Sequence, residues 1–399
     1  MRIVMKFGGS SLATVSRIDN AARLIAARYR EGDQVVAVVS AQGDCTDELI
    51  EKGKEISEKP EARELDVLLA AGEQISMALV TMRLWDLGCP AVSLLGWQAG
   101  ICTDARHGAA RITGVDSRRI LKELSQEKIV VVAGFQGIGP DGDVTTIGRG
   151  GSDTTAVSLA AALKADLCQI YTDVSGIYSA DPRVVEEAVR HEEISYDEMM
   201  EMATLGAKVL HNRSVILAKN CGVPLEVRSS FAPEYGTRVG GEQGMGAVSG
   251  ITCDREVAMM TLTGVDDGAA TCRVFSILAK SGVSIDVIIR SPGTVERRGV
   301  VSFSLAESCV STAKAALEEN RADLGYHFLL IEPEMAKISA VGAGMQGDCG
   351  IAARMLEALR SGGMEPRYIT TGEIRISVII PRSVATDAVR RVHKEFFSE

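Results

Sequence analysis

No Gly-x-x-x-x-Gly-Lys-Ser/Thr stretch occurs anywhere in the chain, which excludes a Walker-type nucleotide site. There is no Cys-x-x-Cys pair either. The nine cysteines stand singly, mostly among apolar neighbours, and read as reduced core residues rather than disulfides or zinc ligands. The five histidines are equally scattered, so no built metal site is expected. Positive charge is in deficit: 43 Lys and Arg stand against 53 Asp and Glu, a net charge of −10. That balance argues against a general affinity for nucleic acid or an anionic membrane, and it requires any anionic ligand to be met by locally placed cations. No charged and apolar leader precedes the strand-like Met1-Arg2-Ile3-Val4-Met5-Lys6-Phe7, and no apolar run is expected to reach membrane-spanning length. The chain reads as cytoplasmic.

What is present is enough for full cores: 399 residues, 46% of them hydrophobic, which predicts two or three domains. From residue 1 to about 230, short β-rich runs alternate with helical ones. Strands are predicted at Ile3 to Phe7, Val35 to Val39, Ala91 to Leu95, Ile129 to Ala133, Leu167 to Tyr171 and Leu225 to Val227, with helices over Val15 to Tyr29, Leu65 to Leu87, Asp116 to Leu124 and Lys208 to Asn220. The fold class is α/β, a parallel-rich sheet covered by helices on both faces, and ligands bind such sheets beyond the carboxyl ends of the strands.

One stretch stands out, Thr145-Thr146-Ile147-Gly148-Arg149-Gly150-Gly151-Ser152-Asp153, between a buried-looking strand and an alanine-rich helix. Its glycines allow left-handed turns and close approach, and the helix start offers free N–H groups to an anion. Arg149 adds a two-point grip for carboxylate or phosphate, and Asp153 can cap the helix or steer a cation. Other strand ends carry similar material. Lys6-Phe7-Gly8-Gly9-Ser10-Ser11 sets a lysine before a glycine pair. Ser40 to Asp47 is rich in small polar groups and reads equally as a loop with an N-cap or as a binding turn. Glu73, inside a helix beside Ala70-Ala71-Gly72, reads by position alone as a solvated residue. The run Tyr171 to Arg183 mixes turn formers with aromatic, acidic and basic groups suited to a nucleoside with phosphates, and Gly206 to His211 is predicted to open a helix.

Taken in order and spacing, Lys6-Phe7-Gly8-Gly9-Ser10-Ser11, Gly148-Arg149-Gly150-Gly151-Ser152-Asp153, Thr172 to Arg183 and Gly206-Ala207-Lys208 resemble the aspartokinases, a branch of the amino acid kinase family, over essentially the whole chain. The resemblance implies an amino acid kinase fold and ATP-dependent phosphorylation of the side-chain carboxylate of L-aspartate, the first step towards lysine, threonine and methionine. It implies a catalytic set of Lys6, Asp153 and Arg149, with Lys6 neutralising the transferring phosphoryl group and Asp153 orienting that lysine. Gly8, Gly9 and Ser10 would line the phosphoryl path. Ser40, Thr46, Glu73, Phe135, Arg149 and Ser152 would hold aspartate, Glu73 at its ammonium and Arg149 at its carboxylate. Thr172, Asp173, Tyr178, Arg183 and Lys208 would hold ATP, with Mg²⁺ bridging phosphate oxygens. An attacking carboxylate is already ionised near neutral pH, so no general base and no histidine is needed. Ser175 and Asn212 depart from the family's usual aspartate and proline. Two alternatives stay open: a relative acting on another small acid, and a catalytically silent amino-acid sensor.

On this reading the catalytic domain is 1–231 and a glycine-rich linker is 232–246. Beyond it a βαββαβ-like pattern occurs twice, at 247–330 and 331–399. The two units resemble ACT domains, which implies amino-acid effectors at their interfaces and a homodimer or higher oligomer joined through them, with strand 247–254 completing the second unit. The rival reading is a dinucleotide fingerprint in Gly342-Ala343-Gly344-Met345-Gln346-Gly347, but too little chain follows for a doubly wound domain. Candidate effector residues are Asp267, Arg290, Glu365, Thr370 and Thr371. Arg290 and Glu365 stand where regulated relatives carry amides, and Pro366 removes a backbone donor. Either these two side chains pair across the modules or the effector has changed. In both cases lysine and threonine are expected to inhibit poorly.

Overall fold

The computed structural model of the chain describes residues 1–207, 209–232, 235–241, 246–265, 268–293, 298–348 and 350–398. It divides into two compact units, Met1–Tyr178 with Val189–Gly244, and Ser179–Ala188 with Met245–Glu399.

The first unit is built on β1 (Arg2–Phe7), α1 (Val15–Arg30), β2 (Gln34–Val39), α2 (Cys45–Ile56), α3 (Ala62–Asp86), β3 (Ala91–Leu94), β4 (Ile101–Thr103), β5 (Ile112–Val115), α4 (Arg118–Leu124), β6 (Ile129–Ala133), β7 (Gln136–Ile138), β8 (Val144–Thr146), α5 (Gly151–Leu163), β9 (Leu167–Thr172), β10 (Glu193–Ile194), α6 (Tyr196–Thr204), α7 (Asn212–Cys221), β11 (Leu225–Ser229) and β12 (Thr237–Val239). Eight strands form one sheet in the order β10-β12-β11-β9-β1-β2-β6-β3, in which β11, β9, β1, β2, β6 and β3 run parallel. The Val-Val-Ala-Val-Val of β2 and Ile-Val-Val-Val of β6 are buried on both faces, as continuous β-branched runs at the centre of a parallel sheet require. Along β1 the side chains alternate. Ile3, Met5 and Phe7 join α1 and α3 in one core cluster, which leaves Lys6 on the opposite face, the one α5 covers. A smaller sheet, β5-β4-β7-β8, was not expected from the sequence, because its strands are only three or four residues long.

Two expectations are corrected. Helix α3 is 25 residues long and apolar enough by composition to cross a membrane, yet it packs on α1, β3, β6 and β8 and buries Asp66 and Glu73, so it is a core helix. Helix α7 begins at Asn212 rather than near Gly206, because His211 takes the N-cap position in extended conformation and its ring accepts from the Arg213 N–H.

The second unit carries β13 (Gly250–Thr263), α8 (Gly268–Lys280), β14 (Ile285–Ser291), β15 (Val300–Ala306), α9 (Val310–Glu319), α10 (Arg321–Leu324), β16 (Phe328–Val341), α11 (Ile351–Arg360), β17 (Tyr368–Thr371), β18 (Arg375–Pro381) and α12 (Ala385–Phe397). One sheet of order β14-β15-β13-β16-β18-β17 joins both repeats. The long β13 serves both: Val257 to Thr263 pairs with β15, while Gly250 to Asp254 pairs with Lys337 to Val341 of β16 across a bulge. Ile251 sits in the core of the second repeat with Met355, Leu359 and Val389. The glycines at 342 and 344 admit the chain rather than a dinucleotide, since a Cβ on either would lie 2.3 Å from the Ala247 carbonyl oxygen or 2.8 Å from its Cα. The segment Ser179–Ala188 is held in this unit too: Ser179 O accepts from Ile251 N at 2.7 Å, Ser179 Oγ bonds His393 Nε2 at 2.9 Å, and Val185 is buried in its core.

Because β13 carries the second repeat's edge of core, Ile251→Ala should cost about 2–5 kcal/mol in that unit. Hydrogen exchange read by mass spectrometry should show faster exchange in peptides from β16 and α12, with peptides from β1 and β6 unchanged. Unaltered protection in β16 would contradict this role of Ile251.

Candidate active site

The carboxyl ends of the parallel strands meet on one edge of the first unit's sheet. The Ser40 N–H donates to Phe7 O at 3.1 Å, Gly134 N to Val39 O at 2.9 Å, Gly8 N to Tyr171 O at 3.4 Å and Ser230 N to Thr172 O at 2.8 Å. Lys6, Gly8, Ser40, Phe135 and Thr172 are therefore neighbours through adjacent strand ends. Phe7 and Tyr171 stack beneath them with ring centres 4.7 Å apart.

Helix α5 enters this edge from the Gly148-Arg149-Gly150 turn. Gly148 and Gly150 have φ of 80° and 71°, the left-handed region that glycine tolerates. Gly150 is the N-cap and no side chain caps the helix, so the expectation that Asp153 might do so is corrected. Asp153 pairs instead with Lys6, Nζ to Oδ1 2.6 Å, and the two side chains are only 13% and 10% exposed. Ten of the thirteen residues of α5 are buried, so a carboxylate in its first turn has to find a cation inside the fold. Arg149 is exposed and, among the described residues, has no ion-pair partner. Ser152 is buried against Gly134, where a Cβ would fall 2.8 Å from Ser152 Oγ. Phe135, half-buried, holds φ of 67°, an uncommon conformation for a bulky side chain and one that clusters at functional sites.

Glu73 is the sharpest departure from the sequence reading. It is 3% exposed, not solvated. Its Oε1 accepts from the Ala41 N–H at 3.1 Å, and its Oε2 has no hydrogen-bond partner among the described residues. Burial pushes its carboxyl up to about 7, opposed by the Ala41 N–H. The preceding Gly72 makes this possible, since a Cβ there would stand 2.8 Å from the Ala41 Cβ. An orphaned oxygen on a buried, proton-hungry carboxylate suits a ligand ammonium. Gly9 is also a close-approach site: a Cβ would lie 2.9 Å from Gly43 O, and the Gly43 N–H donates to Gly9 O at 3.0 Å.

The remaining residues are placed as follows. Ser10 is exposed in the turn after β1, and Thr46 lies in the first turn of α2. Thr172 Oγ1 donates to the Asp173 carboxylate at 3.1 Å. Tyr178 is half-buried, bridged to Arg190. Arg183 lies in the segment grouped with the second unit, exposed and ion-paired with Asp181 at 2.9 Å. Lys208 and Asp267 lie outside the described residues. In the second unit, Arg290 Nε donates to Thr271 Oγ1 at 3.2 Å. Glu365 is exposed and has no ion-pair partner among the described residues, so the cross-module pair with Arg290 is not formed. Thr370 and Thr371 lie on β17. One neighbour was missed: the His211 ring covers Gly150, where a Cβ would fall 2.2 Å from its Cγ, and burial with nearby Arg213 holds the imidazole below its usual range.

The Glu73 carboxyl yields a stability test. It takes its proton near 7 when folded and at 4.5 when exposed, so the folded chain binds more protons between those values and loses stability as pH rises through them. Above pH 7 the cost is present in full, about 3 kcal/mol at most. Glu73→Gln should therefore raise the Tm at pH 8 by about 5 °C, the gain vanishing near pH 4.5. Thermal scans across this range check it; an unchanged or lower Tm at pH 8 would contradict the burial argument.

Comparisons with known proteins identify the family. The amino acid kinase family matches residues 1–229 and the ACT domain matches residues 338–396. Aspartokinase 2 of Bacillus subtilis (strain 168) is 46% identical over 398 residues, which cover 99% of this chain and 97% of that protein. The aspartokinase of Geobacillus stearothermophilus is 46% identical over 399 residues, with 99% and 97% covered. Among solved structures, E. coli aspartokinase III in complex with aspartate and ADP, in its R-state, superimposes with a TM-score of 0.84 at 26% identity, with 100% of both chains covered. This chain belongs to the amino acid kinase family, in its aspartokinase branch, and carries an ACT domain near its C-terminus.

Proposed function

We propose that the strand-end site of the first unit binds L-aspartate and ATP and transfers the γ-phosphate to the aspartate side chain. The observation that carries the reading is the Oε2 of buried Glu73, which has no hydrogen-bond partner among the described residues and lies on the same sheet edge as the Lys6–Asp153 pair. The substrate ammonium meets Glu73, and Arg149 grips the carboxylate of the amino acid with its planar fork. Ser40, Thr46, Phe135 and Ser152 shape the rest of that pocket. ATP would lie against Thr172, Asp173 and Tyr178; Arg183 and Lys208 keep their assignment to its phosphates from the family resemblance alone, and Mg²⁺ would supply further positive charge against those phosphates. Gly8, Gly9 and Ser10 line the phosphoryl path.

The chemistry follows from these residue types. A carboxylate oxygen of aspartate forms the new bond to phosphorus as the bond to the β,γ-bridging oxygen breaks, and ADP leaves with that electron pair. No proton has to move. Negative charge spreads over the equatorial oxygens, and Lys6, held by Asp153, is a fixed cation for it. The ACT domains would take an amino-acid effector and join subunits. The unpaired cysteines of the described residues fit a reducing, cytoplasmic setting.

Incubation with ATP, Mg²⁺, hydroxylamine and a panel of amino acids tests the reading, because an acyl phosphate is trapped as a hydroxamate. Hydroxamate should form with aspartate, and Arg149→Lys should raise the apparent KM for aspartate about tenfold with the charge retained. No hydroxamate with aspartate, or full aspartate affinity in Arg149→Lys, would contradict it.

A further inference from the structure

Asp66 is a buried acid that the reaction does not use. It is 1% exposed, on α3, and its polar contacts among the described residues lead towards the turn that presents Arg149. Its Oδ1 accepts from Gly108 N at 3.0 Å and from Thr146 Oγ1 at 2.5 Å. Its Oδ2 accepts from Gly108 N at 3.1 Å and bonds His107 Nδ1 at 2.9 Å. Thr146 is the last residue of β8, and its carbonyl accepts from Ala110 N at 2.9 Å. Two residues further on is left-handed Gly148, where a Cβ would stand 3.1 Å from Gly108 O. The Gly148 carbonyl in turn accepts from Gly151 N at 2.9 Å, which closes the turn onto α5. Asp66 thus ties the 107–110 loop to the end of β8, and together they form the bed on which Gly148, the residue before Arg149, rests.

Position on the helix gives this a purpose. Asp66 and Glu73 are seven residues apart on α3, two turns, and so lie on one face about 10 Å apart along the axis. The helix is packed on the sheet. We propose that Asp66 is a positioning residue for Arg149, so that a single helix fixes both ends of amino-acid recognition: Glu73 directly at the ammonium, and Asp66, through the 107–110 loop and Thr146, at the arginine that meets the carboxylate. The proposal rests on the assignment of Arg149 to aspartate.

The alternative is that Asp66 merely satisfies buried donors. Both roles predict lost stability on substitution, so stability cannot separate them. Kinetics can. Asp66→Asn keeps the volume but sets an amide against the Gly108 and Thr146 donors. In the full-length enzyme it should raise the KM for aspartate about tenfold, with kcat and the KM for ATP within about threefold of the parent. In an Arg149→Ala background the same substitution should change the aspartate KM by less than about twofold, because the residue it acts through is gone. Should Asp66→Asn fail to fold, Thr146→Val and Thr146→Ser replace it: the valine should raise the aspartate KM and the serine, which keeps the hydroxyl, should restore it. An aspartate KM unchanged in folded Asp66→Asn, or raised equally with and without Arg149, overturns the positioning role alone. An aspartate KM unmoved by Arg149→Ala by itself overturns the arginine assignment and this proposal with it.

Discussion

The Lys6–Asp153 ion pair is the constraint around which the first unit is arranged. Strand alternation puts Lys6 on the opposite face from Phe7, and that face is covered by a helix with almost no solvent side. A lysine there needs an acid, and the first turn of α5 supplies one at 2.6 Å. Pairs this deeply set gain little net stability, since desolvation offsets most of the attraction, while losing one partner strands the other. Their value here is positional. The pair locks the N-terminal turn of α5 to the end of β1, so the helix N–H groups, the glycine turn after β1 and a fixed cation share one geometry.

On the proposed reading, amino-acid recognition depends on a second packed element, α3. Its small residues let it approach the end of β2 closely enough for Ala41 to bond Glu73. The resulting carboxylate is stabilised by one N–H and penalised by burial. Such a group is poor for the fold and good for a ligand that brings its own positive charge, a division of stability against function common at active sites.

Much of this was legible in the sequence. The β-branched runs of β2 and β6 gave the α/β class, and the glycine turns after β1 and before α5, with the lysine and arginine set among them, gave the location of the candidate site. The family motifs then named the chemistry. Other features were hidden for identifiable reasons. Glu73 looked solvated because helical position alone says nothing about what packs on it; the Ala-Ala-Gly before it was the available signal of close approach. Asp66 carried no motif, since its partners are a loop amide, a threonine and a histidine more than forty residues away in sequence. The β5-β4-β7-β8 sheet has strands too short for periodicity to show. That Ser179–Ala188 belongs to the second unit was hidden because only Val184 and Val185 mark it as partly apolar, and Val185 is buried in that unit's core.

The most direct measurement is a double-mutant cycle on the single-turnover rate of phosphoryl transfer with Lys6→Met and Asp153→Asn. If the two side chains act as one positioned cation, each substitution lowers the rate about 100-fold or more and the double variant is scarcely slower than the slower single one. Independent, multiplying losses, or a single variant with the parent's rate, would contradict the account.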